Sequence, residues 1–151
     1  RGLSLQMGSV RFTERYLKSN PVTDAEFWAA RDAVDLALEG ARAWREGISP
    51  RASLVGVAGT VVTLAQLHLA SPHFDAVALD GTELTRGDIH RLVEELKWRT
   101  IDERKALSGM EPGRADVILA GALILWRSLE VLGFPSVRVS TRGLRYGVIL
   151  S

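Results

Sequence analysis

Three short turns carry the side chains in this sequence best suited to chemistry. They are Gly56-Val57-Ala58-Gly59-Thr60, Glu111-Pro112-Gly113-Arg114 and Ser140-Thr141-Arg142-Gly143. Each leads into a segment of helical pattern. The first turn of a helix leaves backbone N–H groups free, and glycine lets an anion approach them closely. Gly56, Gly59 and Thr60 would offer N–H groups and a hydroxyl. Arg114 and Arg142 would offer forked, permanently charged donors. The chemistry this suits is the holding of phosphate. No Gly-Lys-Ser/Thr follows, so none of the turns is a Walker A loop, and none is the GxGxxG dinucleotide fingerprint. Any one of them alone is more simply read as glycine punctuating a tight turn.

Glu111, Arg114 and Asp116 form a charged knot just ahead of a very apolar helical segment. Two readings stand side by side. One is helix capping with a surface ion pair worth about 0–1 kcal/mol. The other is an arginine presented to phosphate, with Glu111 fixing its orientation. Other chemistries find less support. His68, His73 and His90 lack metal-ligand spacing, and no Cys assists them. Ser140 lacks the GxSxG context of a hydrolase nucleophile. Trp28, Trp44, Trp98 and Trp126 fall in helical segments, and core packing is expected for each.

The elements that must position these residues follow from hydrophobic period. Leu3, Leu5 and Met7 alternate as in a half-buried strand. Val10 to Leu17 suits a short helix. Thr23 and Glu26 form a capping-box pattern ahead of Phe27, Ala30, Val34, Leu38, Ala41 and Trp44, one helix ended by Gly47. Ser53 to Ala58 reads as a buried strand and Val61 to Leu69 as a buried helix. Pro72 to Thr82 reads as a loop, with an edge strand expected at Ala76–Leu79. Thr85 and Asp88 give a second, weaker capping pattern for the helix of Ile89, Leu92, Val93 and Leu96. Arg99 to Leu107 suits a charged surface helix. Ala115 to Leu132 is the longest apolar helix, stopped by Gly133 and Pro135. Ser136 to Ser140 is a strand, and Leu144, Val148, Ile149 and Leu150 suit a terminal helix. Strands alternating with helices argue an α/β fold.

Composition bounds the function. The 151 residues fit one domain, spanning 1–151, and 46% hydrophobic with 25% charged residues is the profile of a globular protein. A net charge of +1 argues against a general nucleic-acid binder. The absence of Cys excludes disulfides and thiolate metal sites, and fits a reducing compartment. The longest apolar stretch, Val117 to Trp126, is too short to span a bilayer. No signal-peptide pattern opens the sequence, and apolar alternation begins almost at Arg1, as in a fragment of a longer domain.

Four motifs in order carry a resemblance. Ser4-Leu5-Gln6-Met7-Gly8-Ser9-Val10-Arg11-Phe12-Thr13-Glu14, Val55-Gly56-Val57-Ala58-Gly59-Thr60-Val61-Val62-Thr63-Leu64-Ala65, Glu111-Pro112-Gly113-Arg114-Ala115-Asp116-Val117-Ile118 with Ala120-Gly121-Ala122, and Val139-Ser140-Thr141-Arg142-Gly143-Leu144-Arg145-Tyr146-Gly147 resemble those of the exopolyphosphatase/guanosine pentaphosphate phosphohydrolase (Ppx/GppA) family. They span residues 4–147. The resemblance implies a partial ribonuclease-H-like, actin-like domain: a mixed sheet with flanking helices, forming most of the second domain of a two-domain phosphatase with a cleft between the domains. The family's first-domain phosphate loop, its water-activating Glu and its D-I-G-G-G-S hairpin do not occur here.

Carried over position by position, the resemblance implies that Gly56, Gly59 and Thr60 belong to a loop facing the cleft. It places Arg114 near the bound phosphate chain or guanosine phosphate, with Glu111 beside it. Ala58 stands where Gly is common, and Thr141 and Tyr146 where acidic residues are common. The implied function is one wall of an enzyme releasing terminal phosphate from polyphosphate or guanosine pentaphosphate. No catalytic residue is expected in this chain, and the chain by itself is expected to be inactive. Mg²⁺ is expected for the full enzyme, with ligands outside the chain. The implied partners are an N-terminal domain and a second copy in a homodimer, with no membrane and no specific nucleic acid. The implied location is the cytoplasm. A non-catalytic module binding polyphosphate or ppGpp is the alternative, and an actin-like or sugar-kinase ATPase relative a third reading. The residues do not separate the two substrates.

Overall fold

The computed structural model describes residues 8–56, 59–71 and 73–141. The expected strand at 3–7, the terminal helix after 143, and Ala58, Arg142, Gly143 and Tyr146 lie outside the described residues.

Local chemistry sets the helix starts. α1 (Ser9–Tyr16) follows Gly8 in extended conformation and buries Phe12, whose ring stacks on Tyr16 at 5.4 Å. α2 (Asp24–Glu39) opens with a complete capping box. The Glu26 N–H donates to Thr23 Oγ1 at 3.1 Å, and the Thr23 N–H donates to Glu26 Oε1 at 2.9 Å. The single helix expected up to Gly47 is interrupted. α2 ends before Gly40, Ala41 makes a tight turn onto Leu38, and α3 (Arg42–Glu46) resumes. Glycine inside a helix is about 1 kcal/mol worse than alanine, so Gly40 is where a break is least costly.

β1 (Leu54–Gly56) leads toward α4 (Gly59–Leu69). The expected edge strand at Ala76–Leu79 is instead a one-turn helix, α5 (Ala76–Leu79). Asp75 caps it, accepting from the N–H groups of Val77 and Ala78 at 3.1 and 3.2 Å. The edge strand lies further on, as β2 (Glu83–Thr85). Thr85 then caps α6 (Arg86–Lys97) in a full box with Asp88, and Thr100 does the same with Glu103 for α7 (Ile101–Lys105). A 3₁₀ turn, Pro112–Arg114, precedes α8 (Ile118–Leu132). Gly133 ends α8 in the left-handed region at φ 74°, and the Phe134 N–H closes onto Leu129 O at 3.0 Å. β3 (Ser136–Val139) follows.

The sheet order is β1-β3-β2. β1 runs parallel to β3 with Leu54 opposite Val137 and Gly56 opposite Val139, and β2 runs antiparallel with Leu84 opposite Val137. α8 is the central helix, and α1, α2, α4 and α6 pack against it. Its buried Ile118, Leu119, Ala120, Ala122, Leu123 and Leu129 join Phe134, Leu38 and Leu64 in one core. A partly buried pair fastens α8 to α2: Arg127 Nε and Nη2 donate to Asp35 Oδ1 and Oδ2 at 2.7 and 3.1 Å.

Two expectations about side chains are corrected. Trp28 and Trp98 are 51% and 60% exposed rather than core residues. Each has a guanidinium stacked on it, from Arg31 and Arg99 respectively, so their apolar faces are covered by cations rather than by the core. The charged helix α7 is not all surface. Arg104 is buried, donating from Nε to Leu96 O at 3.0 Å and from Nη1 to Ala115 O at 3.3 Å. Burial pushes its guanidinium below the ordinary value, against the charge of Asp116. No helix of the described residues is long and apolar enough to cross a membrane.

Candidate functional site

Two parallel strands share one carboxyl end. Gly56 closes β1 opposite Val139 of β3, and the Ser140 N–H donates to Gly56 O at 2.9 Å just beyond the ladder. Ligands of α/β sheets gather at this edge. Gly56 has no room for a side chain, since a Cβ there would lie 2.9 Å from both methyls of Val61 and 3.2 Å from Val137 Cγ2. This glycine serves close packing between strand and helix. Gly59, at the start of α4, is different. A Cβ there would overlap Nη2 and Cζ of Arg114 and lie 2.6 Å from its Nε. The guanidinium of Arg114 therefore lies directly over the first turn of α4, in space that exists only because residue 59 is glycine.

The two turns singled out in the sequence, some fifty residues apart, are thus one place in the fold. Arg114 sits at the end of the 3₁₀ turn, and Glu111 holds it: Arg114 Nε donates to Glu111 Oε2 at 3.0 Å. Glu111 makes no side-chain cap, so of the first reading only the exposed ion pair is present, and the same contact is the one that would orient Arg114 in the second. Asp116 does not belong to the knot. It lines a different pocket with Arg104, Thr13 and Lys18. Thr141 lies at the same sheet edge but is committed to its flank. Its N–H donates to Asp80 Oδ1 and its hydroxyl to Ala76 O, both at 3.0 Å.

The electrostatics at Gly59 run against local preference. The first turn of a helix is its positive end, where an anion gains about 0.3–1 kcal/mol and a cation loses as much. Arg114 is a cation held there, balanced by one carboxylate that is 59% exposed. A cation held at the positive end of a helix, with an exposed carboxylate as its partner, is an arrangement to which an added anion would be favourable.

Two residues that stand in the quoted motifs but were given no role, Gly121 and Ser9, complete the surroundings. A Cβ at Gly121 of α8 would overlap Thr60 Cγ2 and lie 3.0 Å from Ser9 Oγ, so the first residue of α1 and the first turn of α4 meet over this glycine. A glycine amid the otherwise apolar run of α8 was the available signal. The histidines stay apart. His68 Nδ1 lies 3.0 Å from Arg91 Nη2, and His90 stacks on Trp126 at 4.7 Å. Among the described residues no group of three or more His, Asp or Glu is placed to hold a metal ion.

A strand, a glycine turn at the carboxyl edge of a mixed sheet, and helices packed around it describe one half of an actin-like fold. The Ppx/GppA phosphatase family matches residues 1–151, and the chain belongs to that family. Exopolyphosphatase 2 of Mycobacterium tuberculosis is 35% identical over 161 residues, covering 98% of this chain and 47% of that protein. Exopolyphosphatase 1 of Mycobacterium bovis is 31% identical over 149 residues, covering 98% of this chain and 43% of that protein. The solved Ppx-GppA enzyme of Aquifex aeolicus superposes with a TM-score of 0.86 at 32% identity, over 96% of this chain and 47% of that one. The chain thus spans about half the length of the relatives it matches.

Proposed function

We propose that this chain forms one wall of the phosphate-binding cleft of a phosphatase that removes terminal phosphate from polyphosphate or guanosine pentaphosphate. The observation that carries this reading is Arg114 lying over Gly59, a cation at the positive end of α4. In this reading Arg114 donates to phosphate oxygens, N–H groups near Gly59 and the Thr60 hydroxyl share the load, and Glu111 fixes the fork of the guanidinium. Gly56 lets the end of β1 pack closely on Val61 of α4. Phosphoanhydride cleavage disperses negative charge over oxygens, and preset donors stabilise it more than mobile water does. The attacking water is activated by a carboxylate outside this chain. Mg²⁺ enters the reading as a group held by residues elsewhere, and none of the steps assigned to these residues passes through it.

Calorimetric titration with inorganic tripolyphosphate tests the reading. The chain should bind it, Arg114→Ala should lose about 10- to 150-fold in affinity, the worth of a charge-assisted hydrogen bond, and no phosphate should be released. Equal affinity of the parent and a folded Arg114→Ala chain would refute the assignment. Phosphate release lost on Arg114→Ala would show that catalysis needs nothing outside the chain. Binding without hydrolysis is also what a sensing module would show, and joining the chain to the remaining half of a relative distinguishes the two by the return of phosphate release.

A further inference from the structure

Gly121 lies four residues into α8, is buried, and has an ordinary helical backbone. Its lack of a side chain therefore serves space, not conformation, and it is kept at a penalty relative to alanine in a helix interior. The space is used by Thr60. A Cβ at 121 would overlap the Thr60 methyl Cγ2 and lie 3.5 Å from Thr60 Cβ, with Ser9 Oγ at 3.0 Å on the other side. The methyl of Thr60 is thus seated on the backbone of α8. The substituents of a threonine Cβ are rigidly staggered, so seating the methyl fixes where the hydroxyl points. Thr60 also adjoins Gly59, so whatever displaces it displaces the surface on which Arg114 rests.

We propose that Gly121 is a positioning residue for phosphate binding: its bare backbone is the notch that holds the Thr60 methyl and so sets the Thr60 hydroxyl and the first turn of α4. The proposal rests on the reading of this sheet edge as a phosphate wall. Its agent is a methyl group, which makes it separable by mutation. Thr60→Ser removes Cγ2 and keeps the hydroxyl, so it should make room for a side chain at 121.

The experiment is calorimetric titration of inorganic tripolyphosphate into the chain and into T60S, G121A and G121A/T60S, with thermal melts alongside. G121A should bind about tenfold more weakly than the parent, T60S about threefold more weakly because its hydroxyl loses the seat that set it, and G121A/T60S should recover to the affinity of T60S, since no methyl is left at 60 to be displaced. A merely structural glycine would shift melting without this rescue of affinity by a smaller residue at 60. If G121A does not fold, Thr60→Val and T60S decide together. Thr60→Val keeps a methyl for the notch and loses the hydroxyl, and should bind about tenfold more weakly. T60S keeps the hydroxyl and loses its seat, and undiminished binding by it would overturn a positioning role for the notch. Undiminished binding by folded G121A, failure of T60S to rescue it, or undiminished binding by Thr60→Val would overturn the inference alone. Absence of tripolyphosphate binding by the unsubstituted chain would refute the phosphate reading, and the inference would fall with it.

Discussion

Replacing Gly59 by alanine should weaken phosphate binding without harming the fold, and the contrast can be worked from the geometry. The added methyl would overlap Nη2 and Cζ of Arg114 and lie 2.6 Å from Nε. Ordinary contact needs the guanidinium to retreat by roughly 1–2 Å. What must move is the far end of a flexible side chain, 35% exposed, so the retreat is inexpensive. Alanine also favours a helix over glycine by up to about 1 kcal/mol in the interior and less at the first turn. The two effects offset, and Tm should move by no more than about 2 °C. Binding is another matter. A guanidinium displaced by more than an ångström loses its charge-assisted hydrogen bond to the anion, about 1.5–3 kcal/mol, or about 10- to 150-fold in affinity. The assay is a double-mutant cycle on tripolyphosphate affinity. Because Gly59→Ala acts by evicting Arg114, it should cost nothing further once Arg114 is alanine, so the double variant should bind like Arg114→Ala. Losses that simply add, or a Gly59→Ala chain that binds as the parent does, would refute the reasoning.

Two further predictions concern the scaffold. Asp35→Ala leaves the Arg127 guanidinium, 13% exposed, without its carboxylate; a loss of about 1–3 kcal/mol and a fall in Tm of about 3–10 °C are expected, and a fall under about 1 °C would sink the assigned role. The capping boxes predict acid sensitivity. The Thr23 N–H holds the Glu26 carboxyl below its ordinary value, despite some desolvation and with help from Ser19 and Lys18. For Asp88 burial pushes upward, but the Thr85 N–H and hydroxyl with the charges of His68 and Arg91 outweigh it. Glu103 is lowered by the Thr100 N–H and hydroxyl. Lowered folded values mean the unfolded chain takes up protons first. The stability of the boxes is therefore complete above about pH 4–5, the ordinary carboxylate range, and is lost as pH falls through the folded values. Melts from pH 7 to pH 3 should show a shallower decline for Glu26→Gln than for the parent, and parallel curves would count against the linkage.

Much of this architecture was legible because its signals are local. Thr23 with Glu26 and Thr85 with Asp88 mark helix starts through hydrogen bonds three residues long, and Gly133 marks a stop through its own φ. What failed was decided by polar partners that hydrophobic patterning does not report. Ala76–Leu79 has the composition of a strand, but Asp75 caps it and the edge position beside β3 goes to Glu83–Thr85. Arg104 reads as a surface charge, yet carbonyl groups of Leu96 and Ala115 receive it in the interior. Trp28 and Trp98 read as core, yet arginines cover them from outside. Asp75, Arg31 and Arg99 stand within three residues of what they cap or cover, so these failures come from polar partners, which a hydrophobic period does not count, and only Arg104 is decided by residues further away along the chain.

The candidate site combines both kinds of information. Gly59 and Arg114 each stand in a recognisable turn, and either alone is ordinary punctuation. Their meaning comes from contact, because the arginine occupies the volume the glycine leaves empty. That contact sets two positive features together, with the exposed Glu111 paired to the arginine. Stability alone would favour the reverse, a carboxylate over the helix start and an alanine beneath it. The fold satisfies its local preferences in the capping boxes and the core and departs from them where Arg114 lies over Gly59, and such departures are expected at functional sites. In the proposed reading, a bound phosphate would supply the missing charge.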